Sequence, residues 1–507
     1  MALVEQEGLL PSRRPAIILP KLRWTQLLAI SIFWFALNFH WAALGIIILP
    51  SQVFKLVGEL QKGEALAFIL VPGAFVSLFA NPLFGMLSDQ TRGRFAVLGR
   101  RRPYILIGTI INIGGLIWMA TARDILSLAI AYAIIQLSNN AASAPFHALL
   151  PDIVPEEQRG LASGVMGLMA TFGGIGGVIL ASLFVDASKP MAAYQQSLWL
   201  TYGIIIAVLT TMMLITIFAV NERLSVSTHV AEQEQNALPI KTTLPKRRLS
   251  LSQKTLVNIF GTVFAIGIAW GIMVLWNISH SAPLQINRDV QQIVLEVVAT
   301  IGILRLFDFN PRRDPDFAWV LLTRLVMTLG IYTVQDFLQF YMRDAVRVPN
   351  PEVQTTNFII ILSLTSLLSA LAAGWLSDRF GRKRMVYVSG GFMALVGLIF
   401  IVTQSLPIVL AAGAIFGLGY GAYISVDWAL VADVLPSHKN YARDMGVWNI
   451  SLSLPQVIAP VIGGPLLDSF ARNGHPILGF QLLFGMAIVY CLLGTVTVRY
   501  IKMRPTR

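Results

Sequence analysis

Three ionisable residues inside long apolar stretches are the first chemical feature of this sequence. Arg324 and Asp336 lie in the stretch 317–341, and Asp427 lies in the stretch 407–432. A charged side chain within a membrane-spanning helix is costly, and it usually lines a water-filled path or a functional site. A carboxylate in a partly desolvated cavity can accept a proton on one side and release it on the other. We therefore predict that Asp336 and Asp427 carry protons and that Arg324 competes for their charge. Mutual neutralisation of the three groups is the alternative.

Amide, hydroxyl and phenol groups form polar stripes along four of the apolar stretches. In 125–148, Gln136, Asn140 and Ser143 recur at helical spacing, so their side chains share one face. Aromatic rings beside amides suit a hydroxylated or amphipathic solute, because rings stack on apolar faces while amides bond to hydroxyls. Hydrogen bonding between neighbouring helices is the alternative role for any one of them. The predicted solute-binding residues are Asn38, Gln136, Asn139, Asn140, Ser143, Tyr332, Gln335, Tyr420 and Tyr423.

The composition indicates that a membrane surrounds the elements that position these residues. Of the 507 residues, 55% are hydrophobic and 13% are charged, and the mean hydropathy is +0.68. Soluble chains carry about 25% charged residues. The net charge of +12 comes from short basic clusters between apolar stretches, which argues against nucleic-acid binding. The single cysteine, Cys491, excludes an intrachain disulfide and a thiolate metal site. The predicted fold class is an all-α polytopic membrane protein.

Fourteen apolar runs of about 20 residues are long enough to cross a bilayer. The runs are 26–49, 65–87, 103–121, 125–148, 161–185, 197–220, 255–278, 289–307, 317–341, 355–376, 384–404, 407–432, 446–468 and 478–500. The predicted domains are an N-terminal tail (1–25), a six-helix bundle (26–220), a linker (221–254), an inserted hydrophobic hairpin (255–316), a second six-helix bundle (317–500) and a C-terminal tail (501–507). Loops rich in Lys and Arg stay in the cytoplasm, so both termini are predicted to be cytoplasmic. Pro455, Pro460 and Pro465 are expected to bend or unwind the run that contains them.

Two pairs of similar segments predict that the two bundles are duplicates. GMLSDQTRGRFAVLGRRR (85–102) and GWLSDRFGRKR (374–384) both contain Gly-x-Leu-Ser-Asp, followed by a glycine and a basic triplet. HALLPDIVP (147–155) matches WALVADVLP (428–436) at a similar offset. The repeat predicts two pseudo-symmetric halves of six helices. Because both basic loops must face the cytoplasm, the insert either crosses the membrane twice or lies as a hairpin in its surface.

A basic loop after the second helix of each half resembles the signature of the major facilitator superfamily. The first-half loop, which ends in Gly-Arg-Arg-Arg-Pro-Tyr-Ile, is similar to that of glycoside-pentoside-hexuronide:cation symporters and sucrose transporters. The resemblance implies two six-helix halves that rock around a central cavity, and it implies gating by the loop residues. A glycine there allows close helix approach, and an aspartate accepts charge-assisted bonds; simple anchoring by the basic triplets is the alternative. The gating residues so implied are Gly85, Asp89, Arg100, Arg101, Arg102, Gly374, Asp378, Arg379, Gly381, Arg382 and Arg384.

These features predict a secondary active transporter in the cell membrane. A proton-coupled sugar or glycoside symporter is the leading interpretation. An exporter of amphipathic metabolites or drugs is the second, and a non-transporting membrane assembly factor of the same fold is the third. The sequence contains no G-x-x-x-x-G-K-[ST] nucleotide loop and no metalloprotease or hydrolase motif. We therefore expect no enzymatic activity, no cofactor and no metal; the expected partners are a small solute, protons and the lipid bilayer, and the expected state is a monomer.

Overall fold

A computed structural model describes residues 21–89, 91, 99–155, 158–219, 253–280, 284–286, 288–306, 309–434 and 441–502. The described residues form helices and connecting turns, without a β-strand. Eleven described segments are apolar and long enough to cross a membrane, so the chain is a multi-pass membrane protein. The predicted all-α class is therefore confirmed.

The first half consists of seven helices that form six long elements, of which all but Lys62–Asp89 are among the eleven apolar segments. They are α1 (Trp24–Ala42), α2 (Leu49–Val57), α3 (Lys62–Asp89), α4 (Arg102–Thr121), α5 (Ile125–Ile153), α6 (Arg159–Phe184) and α7 (Met191–Ala219). A π-helical turn, Ala43–Ile48, joins α1 to α2 without a break. The first element therefore runs over 34 residues, Trp24–Val57, and is longer than the predicted 26–49.

An inserted pair of helices follows, α8 (Gln253–Ser279) and α9 (Arg288–Leu306). The two helices pack against each other closely enough that a Cβ on Gly302 would lie 2.1 Å from the Thr262 side chain. Of the described part of this pair, Phe264–Ser279 forms an apolar helix shorter than the membrane-spanning set. Whether the pair crosses the membrane stays a prediction.

The second half again consists of seven helices that form six long elements. They are α10 (Pro315–Gln335), α11 (Leu338–Asp344), α12 (Pro351–Phe380), α13 (Arg382–Val402), α14 (Leu406–Val434), α15 (Tyr441–Arg472) and α16 (Pro476–Thr497). The first element is interrupted at Asp336 and Phe337, which the sequence did not predict. By contrast, α15 is one α-helix with its three prolines inside it, so the prolines do not unwind it, and the expected bend stays a prediction.

Corresponding helices make corresponding contacts in the two halves. Within the halves, α3 packs on α5 as α12 packs on α14, and α1 packs on α7 as α10 packs on α16. Between the halves, α3 packs on α15 and α12 packs on α6, which are the same pair exchanged by a pseudo-twofold axis. The predicted fold of two pseudo-symmetric halves is therefore confirmed.

The duplicated motif has the same local geometry in both halves. Ser88 donates its hydroxyl to the carbonyl of Gly85 at 2.8 Å, and Ser377 donates to that of Gly374 at 2.8 Å. Glycines with positive φ precede both basic triplets, at +106° for Gly99 and +92° for Gly381. This backbone conformation favours glycine, and it lets the chain turn just before the start of the following helix.

Glycines also allow α6 to lie directly on the backbone of α1. A Cβ on Gly173 would lie 2.3 Å from the carbonyl oxygen of Phe35, and one on Gly177 would lie 2.1 Å from that of Phe39. Small residues four positions apart allow such close crossings in membrane helices. The first helix, which lines the centre of the molecule, is therefore fixed against its own half.

Candidate functional site

A cavity of about 350 Å³ lies at the interface of the two halves. Its volume is at the lower end of the roughly 300–1,000 Å³ found for small-molecule sites. Helices α1, α3 and α5 with the π-helical turn form one wall, and α10 and α15 form the other. The lining residues are Trp41, Gly45, Ile46, Leu66, Leu70, Ser77, Tyr132, Gln136, Asn139, Asn140, Tyr332, Gln335, Asp336 and Gln456.

Hydrogen bonds hold the polar wall of the first half in place. Asn140 donates to the Ser77 hydroxyl at 3.1 Å and accepts from the Asn81 amide at 3.1 Å. Gln136 donates to the Tyr132 hydroxyl at 3.1 Å. Asn139 has a buried side-chain oxygen that lacks a hydrogen bond among the described residues. The wall is therefore preorganised by its own contacts and keeps an acceptor that a ligand hydroxyl could satisfy.

The opposite wall presents a carboxyl group that has no partner side chain among the described residues. Asp336 lies at the break between α10 and α11 and borders the cavity, and it makes no hydrogen bond or ion pair to another described side chain. Nearby, Gln456 donates to the Tyr332 hydroxyl at 2.7 Å and so links α15 to α10. A carboxylate at this depth is costly unless a proton, a cation or a ligand neutralises it.

A second, smaller cavity of about 40 Å³ lies beside the first and shares Tyr332 and Gln335 with it. Arg324 and Asp427 face it, with 3.4 Å between Nε of the arginine and Oδ2 of the aspartate. The Tyr423 hydroxyl lies 3.4 Å from the other carboxylate oxygen. All three side chains are buried.

Trp448 of α15 packs against the guanidinium of Arg324. The guanidinium carbon of Arg324 lies 3.2 Å from the centre of the indole ring, a cation–π contact that fixes the plane of the guanidinium. The Nε and Nη1 atoms of Arg324 are buried and make no hydrogen bond among the described residues.

At one end of the cavity, polar contacts between the halves form what we call the latch. The carboxylate of Asp468 (α15) accepts backbone N–H bonds from Gly63 at 3.0 Å and Glu64 at 2.7 Å, at the start of α3. The Lys62 ammonium forms an ion pair with Asp344 of α11. A carboxylate at a helix N-terminus satisfies unpaired N–H groups and interacts favourably with the helix dipole.

Close backbone packing supports the latch. A Cβ on Gly464 would lie 2.3 Å from the carbonyl oxygen of Gly63, so two glycines bring α3 and α15 into contact. The further pair of Arg472 and Glu64, at 2.8 Å, is roughly half exposed, and exposed pairs contribute little. Asp468, the two glycines and the largely buried Lys62–Asp344 pair therefore dominate the closure of this end.

The residues implied in gating lie away from the latch, at the ends of α3 and α12 and the starts of α4 and α13. Arg101 is buried and donates from Nη1 to the Ser88 hydroxyl at 2.7 Å, so it holds α4 against α3. The exposed Arg379 lies over the Trp375 ring of its own helix at 5.7 Å. The side chains of Asp89 and Asp378 lie outside the described part of the chain, so their role stays a proposal.

Most of the predicted solute-binding residues meet at the two cavities. Gln136, Asn139, Asn140, Tyr332 and Gln335 line the central cavity, and Tyr420 and Tyr423 line the smaller one. Two residues do not line either cavity. Asn38 donates to the carbonyl of Trp34 in its own helix at 2.8 Å, and Ser143 is buried elsewhere on α5.

The residues at these sites that were not predicted as functional include Tyr132, Gln456, Trp448 and Asp468. Gln456 and Trp448 belong to the proline-rich run, whose polar positions were available as a signal. Asp468 stands at the end of an apolar run, where an acidic residue resembles an ordinary loop residue.

Two family models match successive parts of the chain. Residues 36–281 match the model described as MFS/sugar transport protein, and residues 312–507 match the model described as Major Facilitator Superfamily. The chain belongs to the major facilitator superfamily. Members of this superfamily are membrane transporters and not enzymes, in agreement with the prediction from sequence.

Solved and curated relatives place the chain within this fold. The crystal structure of the peptide transporter POT in complex with sulfate superposes with a TM-score of 0.66 at 16% identity, over 95% of this chain and 97% of that one. The multidrug efflux pump LfrA of Mycolicibacterium smegmatis is 22% identical over 160 residues, 31% of this chain and 32% of the pump. The minor myo-inositol transporter IolF of Bacillus subtilis is 29% identical over 137 residues, 26% of this chain and 28% of that protein. The chain thus spans about a third or less of the length of these two curated relatives.

Proposed function

We propose that the protein is a secondary active transporter that moves a small hydroxylated solute, a sugar or glycoside, together with protons across the cell membrane. The observation that carries the proposal is a central cavity that joins a preorganised amide wall to a carboxyl group, Asp336, which has no partner among the described side chains. The first-half match to a sugar-transport family model and the likeness to an inositol transporter support a hydroxylated solute. The first-half basic loop supports the finer resemblance to glycoside symporters and sucrose transporters.

We propose that the protein works by alternating access, and the contacts between the halves support this. The latch closes one end of the cavity, and we propose that this end faces outside, because the basic triplets at the opposite end are expected in the cytoplasm. In this orientation both termini are cytoplasmic. The arginines and aspartates of the two motif loops would then close the cytoplasmic end in the other state, by the charge-assisted bonds that the motif implies.

Proton coupling is assigned to Asp336 and Asp427, with Arg324 as the competing cation. The two carboxyl groups have different surroundings: Asp336 faces the central cavity without a partner among the described side chains, whereas Asp427 lies 3.4 Å from Arg324. A carboxyl group that is protonated in one of the two conformations and deprotonated in the other links solute movement to the proton gradient. The coupling group therefore lies within reach of the solute.

Purified protein in liposomes with an imposed pH gradient tests this function. The wild type should accumulate a radiolabelled sugar or glycoside when the outside is acidic. Asp336→Asn and Asp427→Asn should each abolish accumulation and keep solute counterflow, because the solute site remains. Asp314→Asn, at the start of α10, is the matched control and should transport normally. Unchanged accumulation by both variants would contradict the assignment.

Export of an amphipathic compound is the second candidate. Trp41, Ile46, Leu66 and Leu70 form an apolar part of the cavity wall, and the drug pump LfrA is among the relatives. The same liposomes distinguish the two functions: an exporter moves dye or drug against an opposed proton flow and ignores sugars. Lack of flux with every solute, combined with specific co-purification of a membrane protein, would instead support an assembly factor.

A further inference from the structure

The guanidinium of Arg324 has unused hydrogen-bonding capacity in the interior of the protein. Its residue is 5% exposed, and its Nε and Nη1 atoms lack a hydrogen bond to any described residue. A buried donor left unsatisfied costs about 1–3 kcal/mol, and more when it is charged. Such donors are rare in native proteins, and each one calls for a water, an ion or a ligand.

Asp427 only partly neutralises this arginine. The shortest described approach between them is 3.4 Å, whereas charge-assisted N–H···O bonds are about 2.7–2.9 Å long. Trp448 covers one face of the guanidinium and contributes no negative charge. The edge of the guanidinium, where its N–H groups point, is therefore the part that remains for an anion.

The space beside Arg324 matches a carboxylate group. The smaller cavity of about 40 Å³ exceeds the roughly 10–15 Å³ that a single water needs. The hydroxyl-bearing rings of Tyr420, Tyr423 and Tyr332 surround it. Since Tyr332 and Gln335 border both cavities, a solute in the central cavity can extend one end toward Arg324.

We propose that Arg324 is the carboxylate-binding residue of this transporter and that its solute is a small hydroxylated organic acid. The hydroxylated skeleton would lie against the amide wall of the central cavity, and the carboxylate would occupy the smaller one. A planar guanidinium held in place by stacking favours a planar carboxylate over a neutral hydroxyl. The inference rests on the proposed function, which it narrows from sugars and glycosides to their acidic relatives.

Charge balance connects this site to proton uptake. Arg324 stays positively charged and needs one negative partner in the low-dielectric interior. Among the described residues, Arg324 from α10 and Tyr423 from its own helix lie 3.4 Å from the Asp427 carboxylate, and the hydroxyl-bearing Tyr420 and Tyr332 line the same small cavity. When Asp427 takes up a proton, the solute carboxylate replaces it as the partner of Arg324. One acid and one proton then bind together, without a change in the net charge of the site.

Thermal unfolding of the detergent-solubilised full-length protein tests the proposal with matched probe pairs. Each pair compares an acid with a neutral analogue: D-gluconate with D-glucitol, and D-glucuronate with D-glucose, all at equal ionic strength. At least one acid should raise the Tm in a dose-dependent manner while its neutral analogue does not, because a ligand of the folded state stabilises it. Equal shifts from the acid and its analogue, or no shift from either acid, would overturn the proposal.

Two variants separate ligand binding from a purely structural ion pair. Arg324→Gln should abolish the acid-specific shift, whereas Arg472→Gln, at the exposed pair of the latch, should keep it. Asp427→Asn removes the competing carboxylate and should tighten acid binding about tenfold or more, equivalent to about 1.4 kcal/mol. If Arg324→Gln does not fold, the Asp427→Asn result decides: unchanged or weaker acid binding refutes the carboxylate site.

Flux measurements distinguish failure of this inference from failure of the proposed function. Accumulation of a neutral sugar by a protein that ignores both acids would overturn the carboxylate site and keep the transporter. Acid-specific stabilisation without flux of any solute would keep the site and overturn the transporter.

Discussion

Replacing Asp468 with asparagine should open the latch. In the structure the buried carboxylate accepts two backbone N–H bonds, from Gly63 and Glu64, across the boundary between the halves. Asparagine has the same shape, but only its oxygen can accept, and its amide group would point at one of the N–H donors. The variant therefore loses one of the two bonds together with the charge at the start of α3.

The expected size of the effect follows from these contacts. A hydrogen bond to a charged group contributes about 1.5–3 kcal/mol, so the closed latch should be weakened by about 2 kcal/mol. That loss multiplies the ratio of open to closed molecules by about 30, since 1.4 kcal/mol is a factor of ten. If the open state holds about 1% of the wild-type molecules, it should hold about a quarter of the variant molecules.

Spin labels on opposite halves measure this population. Leu60 and Asn473 are exposed positions near the latch, on the first and second half respectively, and the native Cys491 is buried and should escape labelling. Asp186→Asn is the matched control, because the Asp186 carboxylate also accepts a backbone N–H bond but only within the first half. A longer-distance population should appear with Asp468→Asn and not with the control. Identical distance distributions in the wild type and both variants would refute the latch.

Three further predictions concern packing and the cavity wall. Gly464→Ala should also populate the open latch in the spin-label experiment, because its methyl group would meet the backbone of α3; a closed latch would contradict this. Gly173→Ala should lower the Tm by several degrees, because its methyl group would meet a carbonyl oxygen of α1. The control is Gly174→Ala, whose methyl group would enter open space and should leave the Tm unchanged. Equal Tm values for the two variants would disprove the close crossing of α6 and α1. Asn140→Ala should weaken solute binding in a thermal-shift titration by about 1–3 kcal/mol, since it removes the three hydrogen bonds of this side chain, to Ser77, Asn81 and the Gln136 carbonyl. Wild-type affinity would exclude this residue from the site.

The duplicated architecture could be predicted because it depends on local sequence patterns, namely apolar runs and a repeated motif. Long apolar runs set the helices, and the repeated Gly-x-Leu-Ser-Asp set the correspondence between the halves. The structure adds a cause for the motif glycines: Gly99 and Gly381 both turn the chain with positive φ.

The site could be predicted only in part, because polar stripes show which face of a helix is polar but not which helices meet. Gln136 and Tyr332 were found from such stripes and do line the central cavity. The contact of Asp468 with Gly63 joins residues about 400 positions apart, and periodicity carries no information on such pairing. The stacking of Trp448 on Arg324 was missed for the same reason.

The π-helical turn at Ala43–Ile48 sets the rotational register of everything that follows it in the first element. A π-turn accommodates one residue more than the α-helix it interrupts, and it often occurs at functional positions. If the same residues wound as a regular α-helix without the π-turn, α2 would be rotated by about 100° relative to α1, since each residue advances an α-helix by that angle. The Lys55 ammonium, which donates to the carbonyl oxygens of Ala187 and Lys189, would then point away from the loop it ties down. The extra residue of the π-turn thus fixes the rotation of α2, which carries Lys55, relative to α1, which lines the central cavity.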